Sequence, residues 1–178
     1  PAQLEWAQKR VPEADLRLQD YRDTREQFDH VVSIEMFEAV GERWWPTYFK
    51  TIARALKPGG RAVVQSITIR DDLFADYRKG TDFIQQYVFP GGMLPSRSAF
   101  RAAAARQGLA VRGEYAFGTD YARTLADWRL AFEASWPQIA ALGFDEPFRR
   151  LWRMYLCYCE AAFLAGNIDV VHFELGHH

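Results

Sequence analysis

Two runs in this chain are too apolar to lie on an open surface. His30-Val-Val-Ser-Ile34 and Arg61-Ala-Val-Val-Gln-Ser-Ile-Thr-Ile69 read as strands covered on both faces. A helix-length segment separates them. It starts near Trp45, with Pro46 tolerated in the first turn, and ends near Leu56, where Pro58-Gly59-Gly60 turns the chain. Strand, helix and strand at that spacing predict a crossover unit in a mainly parallel, helix-covered sheet, an α/β fold.

The remaining pattern extends this unit. Leu16-Arg-Leu-Gln19, Leu109 to Phe117 and Asp169 to Leu175 read as further strands, making five. Gln3 to Val11 reads as the end of a helix. Ser96 is a fit N-cap for an Ala-rich helix ending at Gly108, and later helices are expected over 119–135 and 146–165. Residues 70–95 read as an insertion over one end of the sheet.

The chain has 178 residues, enough for one domain with a substantial core, and 49% of them are apolar. Its net charge of −1 gives no whole-molecule field to recruit nucleic acid or anionic lipid. Arg149, Arg150 and Arg153 still form a local basic cluster. Cys157 and Cys159 lie two apart on an expected helix, so they do not share a face, and a disulfide or joint metal site is not expected. The four histidines are scattered, so no metal site is expected. No apolar run is long enough to span a bilayer.

Several polar residues fall where α/β sheets bind ligands, at the carboxyl ends of strands. Glu38 follows the first apolar strand, and Ser33 to Glu35 line its end. On its own, a carboxylate like Glu38 is equally explained by backbone N–H groups at a helix start. Gln65 lies within the second apolar strand, two residues before Ile67. An amide there donates a hydrogen bond to an oxyanion but does not carry a proton. Tyr121 reads either as a site residue or as packing against Leu125 and Trp128 one and two turns on.

Four segments, taken in order, carry a family resemblance. They are Phe28-Asp-His-Val-Val-Ser-Ile-Glu-Met-Phe-Glu-Ala-Val-Gly41, Leu56-Lys-Pro-Gly-Gly60, Phe83-Ile-Gln-Gln-Tyr-Val-Phe-Pro-Gly-Gly-Met-Leu-Pro-Ser96 and Phe117-Gly-Thr-Asp-Tyr-Ala-Arg-Thr-Leu-Ala-Asp-Trp128. Together they closely resemble the cyclopropane-fatty-acyl-phospholipid synthases, methyltransferases that use S-adenosylmethionine. The Leu-Lys-Pro-Gly-Gly element is common among methyltransferases; Phe-Pro-Gly-Gly-x-Leu-Pro-Ser is far more restrictive. The resemblance runs from about Gln3 to Leu175.

The resemblance implies a Rossmann-like class I methyltransferase sheet, mostly parallel with an antiparallel last strand. It also implies two strands and a glycine-rich cofactor turn before Gln3, which this sequence does not contain. Residues 1–178 are therefore expected to be the C-terminal part of a catalytic domain, and alone not to form a stable, active monomer. The implied site has Glu38, Gln65, the Ile67 backbone N–H and Tyr121 around a bicarbonate ion acting as base. The family usually has His where Gln65 stands. Gln3, Tyr21, Arg22, Ser33 and Glu35 are implied on the cofactor side. The implied reaction is methyl or methylene transfer to the double bond of an unsaturated fatty-acyl phospholipid, in the cytoplasm or at the inner face of the membrane. A related methyltransferase on another small apolar substrate, an inactive binding module and a homo-oligomer all stay open.

Overall fold

The computed structural model describes all residues from Pro1 to His178. Helix α1 (Ala2–Arg10) opens the chain and buries none of its residues. Then come β1 (Phe28–Ile34), α2 (Phe37–Val40), α3 (Trp45–Ala55) and β2 (Leu56–Ile69). Two short helices, α4 (Asp71–Tyr77) and α5 (Phe83–Tyr87), occupy the segment read as an insertion. The chain continues with α6 (Arg97–Ala105), β3 (Leu109–Ala116), α7 (Gly118–Ala134), α8 (Trp136–Ala141), α9 (Glu146–Leu164) and β4 (Ile168–His177).

The strands form one sheet in the order β1-β2-β4-β3. β1 and β2 pair in parallel, and β4 runs antiparallel to both β2 and β3. Three strands thus point one way, and only the last in sequence is reversed, as expected.

Four of the five expected strands form. Leu16–Gln19 does not: that stretch has no regular structure, and Leu18 is 72% exposed. The physical reason is the lack of a neighbour. β1 is the edge of the sheet, so nothing offers the Leu16 segment a ladder of hydrogen bonds. The same edge leaves Val32 and Ile34 67% and 53% exposed. The Pro58-Gly59-Gly60 turn also differs from expectation. It lies inside β2 as a register irregularity, with Phe28 paired to Leu56 and His30 to Arg61. Gly60 is required there, because a Cβ would come within 2.9 Å of the Asp29 carbonyl oxygen.

Alternation along β2 divides the molecule into two layers. Ala62, Val64, Ser66 and Thr68 are buried. On that side α3 presents Trp45, Tyr48, Phe49 and Ile52, one face of a helix by their spacing. Phe37 packs at the centre of these residues, with ring centroids 4.9–5.2 Å from Trp45, Tyr48, Phe49 and Phe100. Phe100 of α6 in turn stacks on Phe173 of β4 at 3.9 Å. Ser96 caps α6 through the Ala99 N–H, as its position predicts. The opposite layer is α7 against α9, closed over Ile67 and Val170 by Leu125, Leu156 and Phe163.

Phe37 thus anchors both the larger core and the four-residue helix that carries Glu38. Phe37→Ala is expected to lower stability by about 3–5 kcal/mol, read as a shift in the urea midpoint with an unchanged slope.

Candidate active site

β1 and β2 end side by side, and α2 begins three residues beyond Ile34. This places Glu38 over the end of β2. Its Oε1 accepts the Ile67 backbone N–H at 2.5 Å and the Ser66 hydroxyl at 2.9 Å. Its Oε2 is buried without a partner. Burial pushes the Glu38 carboxyl above its ordinary range, further than the hydrogen bonds from Ile67 and Ser66 pull it down; the charge of Glu35 adds to the rise.

Gln65 faces the α7 side of the sheet, two residues before Ile67. Its Nε2 donates to Glu35 Oε1 at 3.0 Å, and its Oε1 lies 2.7 Å from His172 Nε2. His172 is directly opposite Gln65 in the β2–β4 ladder. Since the amide oxygen only accepts, His172 is the donor and carries its proton on Nε2. Tyr121 reaches this corner from α7. Its hydroxyl is pushed up to about 12, by burial first and then by the charge of Glu35 and a hydrogen bond to it, with Glu38 adding less.

Glu38 is thus tied to Ile67, and Glu35 links Gln65 and Tyr121 at the same end of β2. The Glu35 carboxylate accepts from the amide of Gln65. Glu35 is the only non-glycine residue with positive φ, at 52°. Strand alternation continued past Ile34 would send its side chain to the α3 side with Ser33; the left-handed turn returns it to the Gln65 side.

The other cofactor candidates form a second group. Ser33 Oγ accepts the Tyr48 hydroxyl at 2.7 Å. Tyr21 packs edge-on to the same Tyr48 ring at 5.9 Å. Arg22 is exposed, pairs with Asp20 at 2.7 Å, and has its guanidinium 5.8 Å from the Trp44 ring. Tyr48 thus links the end of β1 to the Tyr21 loop. Gln3 is exposed on α1.

His172, Ser66 and Tyr48 escaped the sequence reading. Only the strand register brings His172 opposite Gln65, and register is not visible in one strand alone. No three His, Cys, Asp or Glu side chains gather in a metal-holding group. A wide concavity of about 940 Å³ opens at the other end of the sheet, around Leu56, Pro58, Arg61, Arg112 and His177. Its one acid, Glu174, is paired with Arg61 at 2.6 Å. No helix is long and apolar enough to cross a membrane.

With this geometry in view, the comparisons are specific. The family model described as mycolic acid cyclopropane synthetase matches residues 2–173. Tuberculostearic acid methyltransferase UfaA1 of Mycobacterium tuberculosis is 41% identical over 162 residues, covering 90% of this chain and 38% of the relative. The cyclopropane-fatty-acyl-phospholipid synthase of Escherichia coli K12 is 38% identical over 171 residues, covering 94% of this chain and 43% of the relative. The crystal structure of mycolic acid cyclopropane synthase CmaA1 complexed with SAH and CTAB superposes with a TM-score of 0.86 at 28% identity. It covers 98% of this chain and 66% of that one. The sheet is that of a Rossmann-like class I methyltransferase. The chain spans about two-fifths of the length of these curated relatives.

The raised Glu38 carboxyl has a measurable consequence. An acid whose folded pKa lies above its unfolded one contributes most below the unfolded value, and that contribution is lost as pH rises through the folded value. The wild type should therefore lose stability relative to Glu38→Gln as pH rises above the ordinary carboxylate range, read from urea midpoints of both proteins from acid to neutral pH. Parallel curves would show that Glu38 is not shifted.

Proposed function

Since the chain belongs to the mycolic acid cyclopropane synthetase family, we propose that it is the C-terminal part of the catalytic domain of an S-adenosylmethionine-dependent enzyme. The enzyme methylates the double bond of an unsaturated fatty-acyl chain. The observation that carries this reading is the convergence of two carboxylates, Glu35 and Glu38, and the Tyr121 hydroxyl at the carboxyl ends of β1 and β2.

The residues suit a cationic sulfonium cofactor. Two carboxylates at one cleft favour positive charge. Tyr21 offers an aromatic ring for an adenine, half-buried and held edge-on by Tyr48. Tyr48 also fixes Ser33 at the end of β1. Tyr21, Arg22, Ser33 and Gln3 are assigned to the cofactor side. When bound, the cofactor supplies an electrophilic methyl group. The chain's own residues must then orient an alkene, exclude water and hold charge as a cation develops.

The wall for an apolar chain is aromatic. Tyr155 of α9 lies 6.1 Å from Phe89, and Tyr158 lies 5.8 Å from Phe83, so the segment after α4 meets α9 through rings. Tyr155 is pushed up to about 12 by burial first, with smaller contributions from Cys159, Tyr121 and Glu35. The aromatic wall and the acidic corner are therefore contiguous. An unsaturated fatty-acyl phospholipid suits such a wall, and the reading includes peripheral contact at the inner face of the membrane.

A separate bicarbonate base fits this corner poorly. The two donors it would need are taken: the Ile67 N–H by Glu38, and the Gln65 amide by Glu35. No step is therefore assigned to that ion.

The test uses the complete catalytic domain to which these residues belong, with S-adenosylmethionine and phospholipids carrying monounsaturated acyl chains, and products read by mass spectrometry. Lipids gaining one CH2 are expected, and S-adenosylhomocysteine should bind in calorimetry. Binding without lipid methylation would favour a different apolar acceptor; neither would refute the reading.

A further inference from the structure

We infer that Glu35 is the proton acceptor of this enzyme, a role that rests on the methyl-transfer reading above. The first observation is conformational. A glutamate at φ 52° is uncommon and strained, since L side chains are disfavoured there. Without that turn the carboxylate would follow Ser33 to the α3 side. With it, the carboxylate joins Gln65 and Tyr121 at the ends of the central strands.

The second observation is orientation. His172 donates to the amide oxygen of Gln65, and this turns the amide nitrogen toward Glu35. An amide reversed by a half-turn would set its oxygen against the Glu35 carboxylate oxygen, two acceptors with no proton between them. The cross-strand pair Gln65–His172 thus holds one oxygen of Glu35 by a directed bond. His172 is a positioning residue, acting on Glu35 through Gln65.

The third observation is elimination within the corner. Glu38 Oε1 is committed to the Ile67 N–H and the Ser66 hydroxyl, and burial favours its neutral form. Glu35 also contributes to the raised pKa of both Tyr121 and Tyr155, so its charge reaches the aromatic wall. Of the two carboxylates it is the one bonded to Gln65, on the side of the sheet that α7 and α9 cover and to which Tyr155 belongs.

The step balances without another reactant. The π pair of the alkene forms a carbon–carbon bond to the methyl carbon while the methyl–sulfur bond breaks and its pair stays on sulfur. The neighbouring carbon becomes cationic. Glu35 takes a proton from the carbon skeleton. The pair from that C–H bond closes a cyclopropane if the proton comes from the new methyl, making a methylene branch only after a hydride shift has moved the cation. Glu35 ends as the neutral acid and returns its proton to solvent.

The experiment compares wild type, Glu35→Gln, Glu35→Gly, His172→Leu and His172→Gln in the complete catalytic domain. Glu35→Gln should lose about 100-fold in kcat. Its KM for lipid and its calorimetric affinity for S-adenosylhomocysteine should stay within about threefold. Glu35→Gly should lose activity alike while raising the melting temperature by about 2–5 °C, because glycine adopts positive φ without strain. His172→Leu should lower kcat with KM unchanged, and His172→Gln, which keeps a donor at that reach, should rescue it. Wild-type turnover should persist in bicarbonate-depleted buffer. Glu35→Gln turnover within about threefold of wild type, or wild-type activity that depends on added bicarbonate, would overturn the assignment. A loss of S-adenosylhomocysteine affinity in Glu35→Gln would make Glu35 a cofactor ligand instead. An inactive wild type would refute the methyl-transfer reading itself, and this inference with it.

Discussion

The site depends on β2 being hydrogen-bonded along both edges. It is parallel to β1 on one side and antiparallel to β4 on the other. A strand held in this way has no freedom to slip, since a shift by one residue would exchange its two faces. That constraint keeps Ser66 pointing toward the α3 layer and Gln65 toward the α7 layer. It also presents the Ile67 N–H to Glu38. Because β1 is parallel to β2, both strands end at the same level. Glu35 and Glu38 can then approach the end of β2 from one loop. Because β4 is reversed, His172 meets Gln65 from the far side.

Electrostatics follows from this placement. The corner gathers Glu35, Glu38 and two tyrosines whose hydroxyls are pushed up by burial and by nearby negative charge. No arginine or lysine hydrogen-bonds or ion-pairs with either glutamate. The ion pairs of this molecule are instead distributed elsewhere, as between Arg97 and Asp169 or Arg129 and Glu160. An acidic corner left without a cationic side chain is poised to receive a positive charge from outside the protein.

The backbone contributes as much as the side chains do. The positive φ at Glu35 is unfavourable for any residue with a Cβ, and glycine would occupy it freely. Strain at one residue is tolerable because the residues around it are held: Ile34 in the parallel ladder, Phe37 in the aromatic core, and the Glu35 N–H on the Gln65 carbonyl at 3.1 Å. Stored strain of this kind belongs with sites that need a side chain aimed against its local preference.

Sequence alone determined the layer order of the fold, the four strands that form, and the motifs that carry Glu38, Ile67 and Tyr121. These are legible because apolar runs, helix periodicity, Pro and Gly punctuation and short motifs are local signals. It failed at Leu16–Gln19, whose alternation is strand-like but which has no partner at the β1 edge. It also misplaced the start of β2, because a bulge around Gly59 and Gly60 looks like a turn in one dimension. Only the tertiary structure decided that Gln65 bridges His172 and Glu35. That bridge joins residues 30 and 107 positions apart. It also decided that Glu35 faces the catalytic corner. A residue's direction at the end of a strand is set by one φ angle, and register is set by the pairing of distant strands. Neither leaves a periodic trace in the chain.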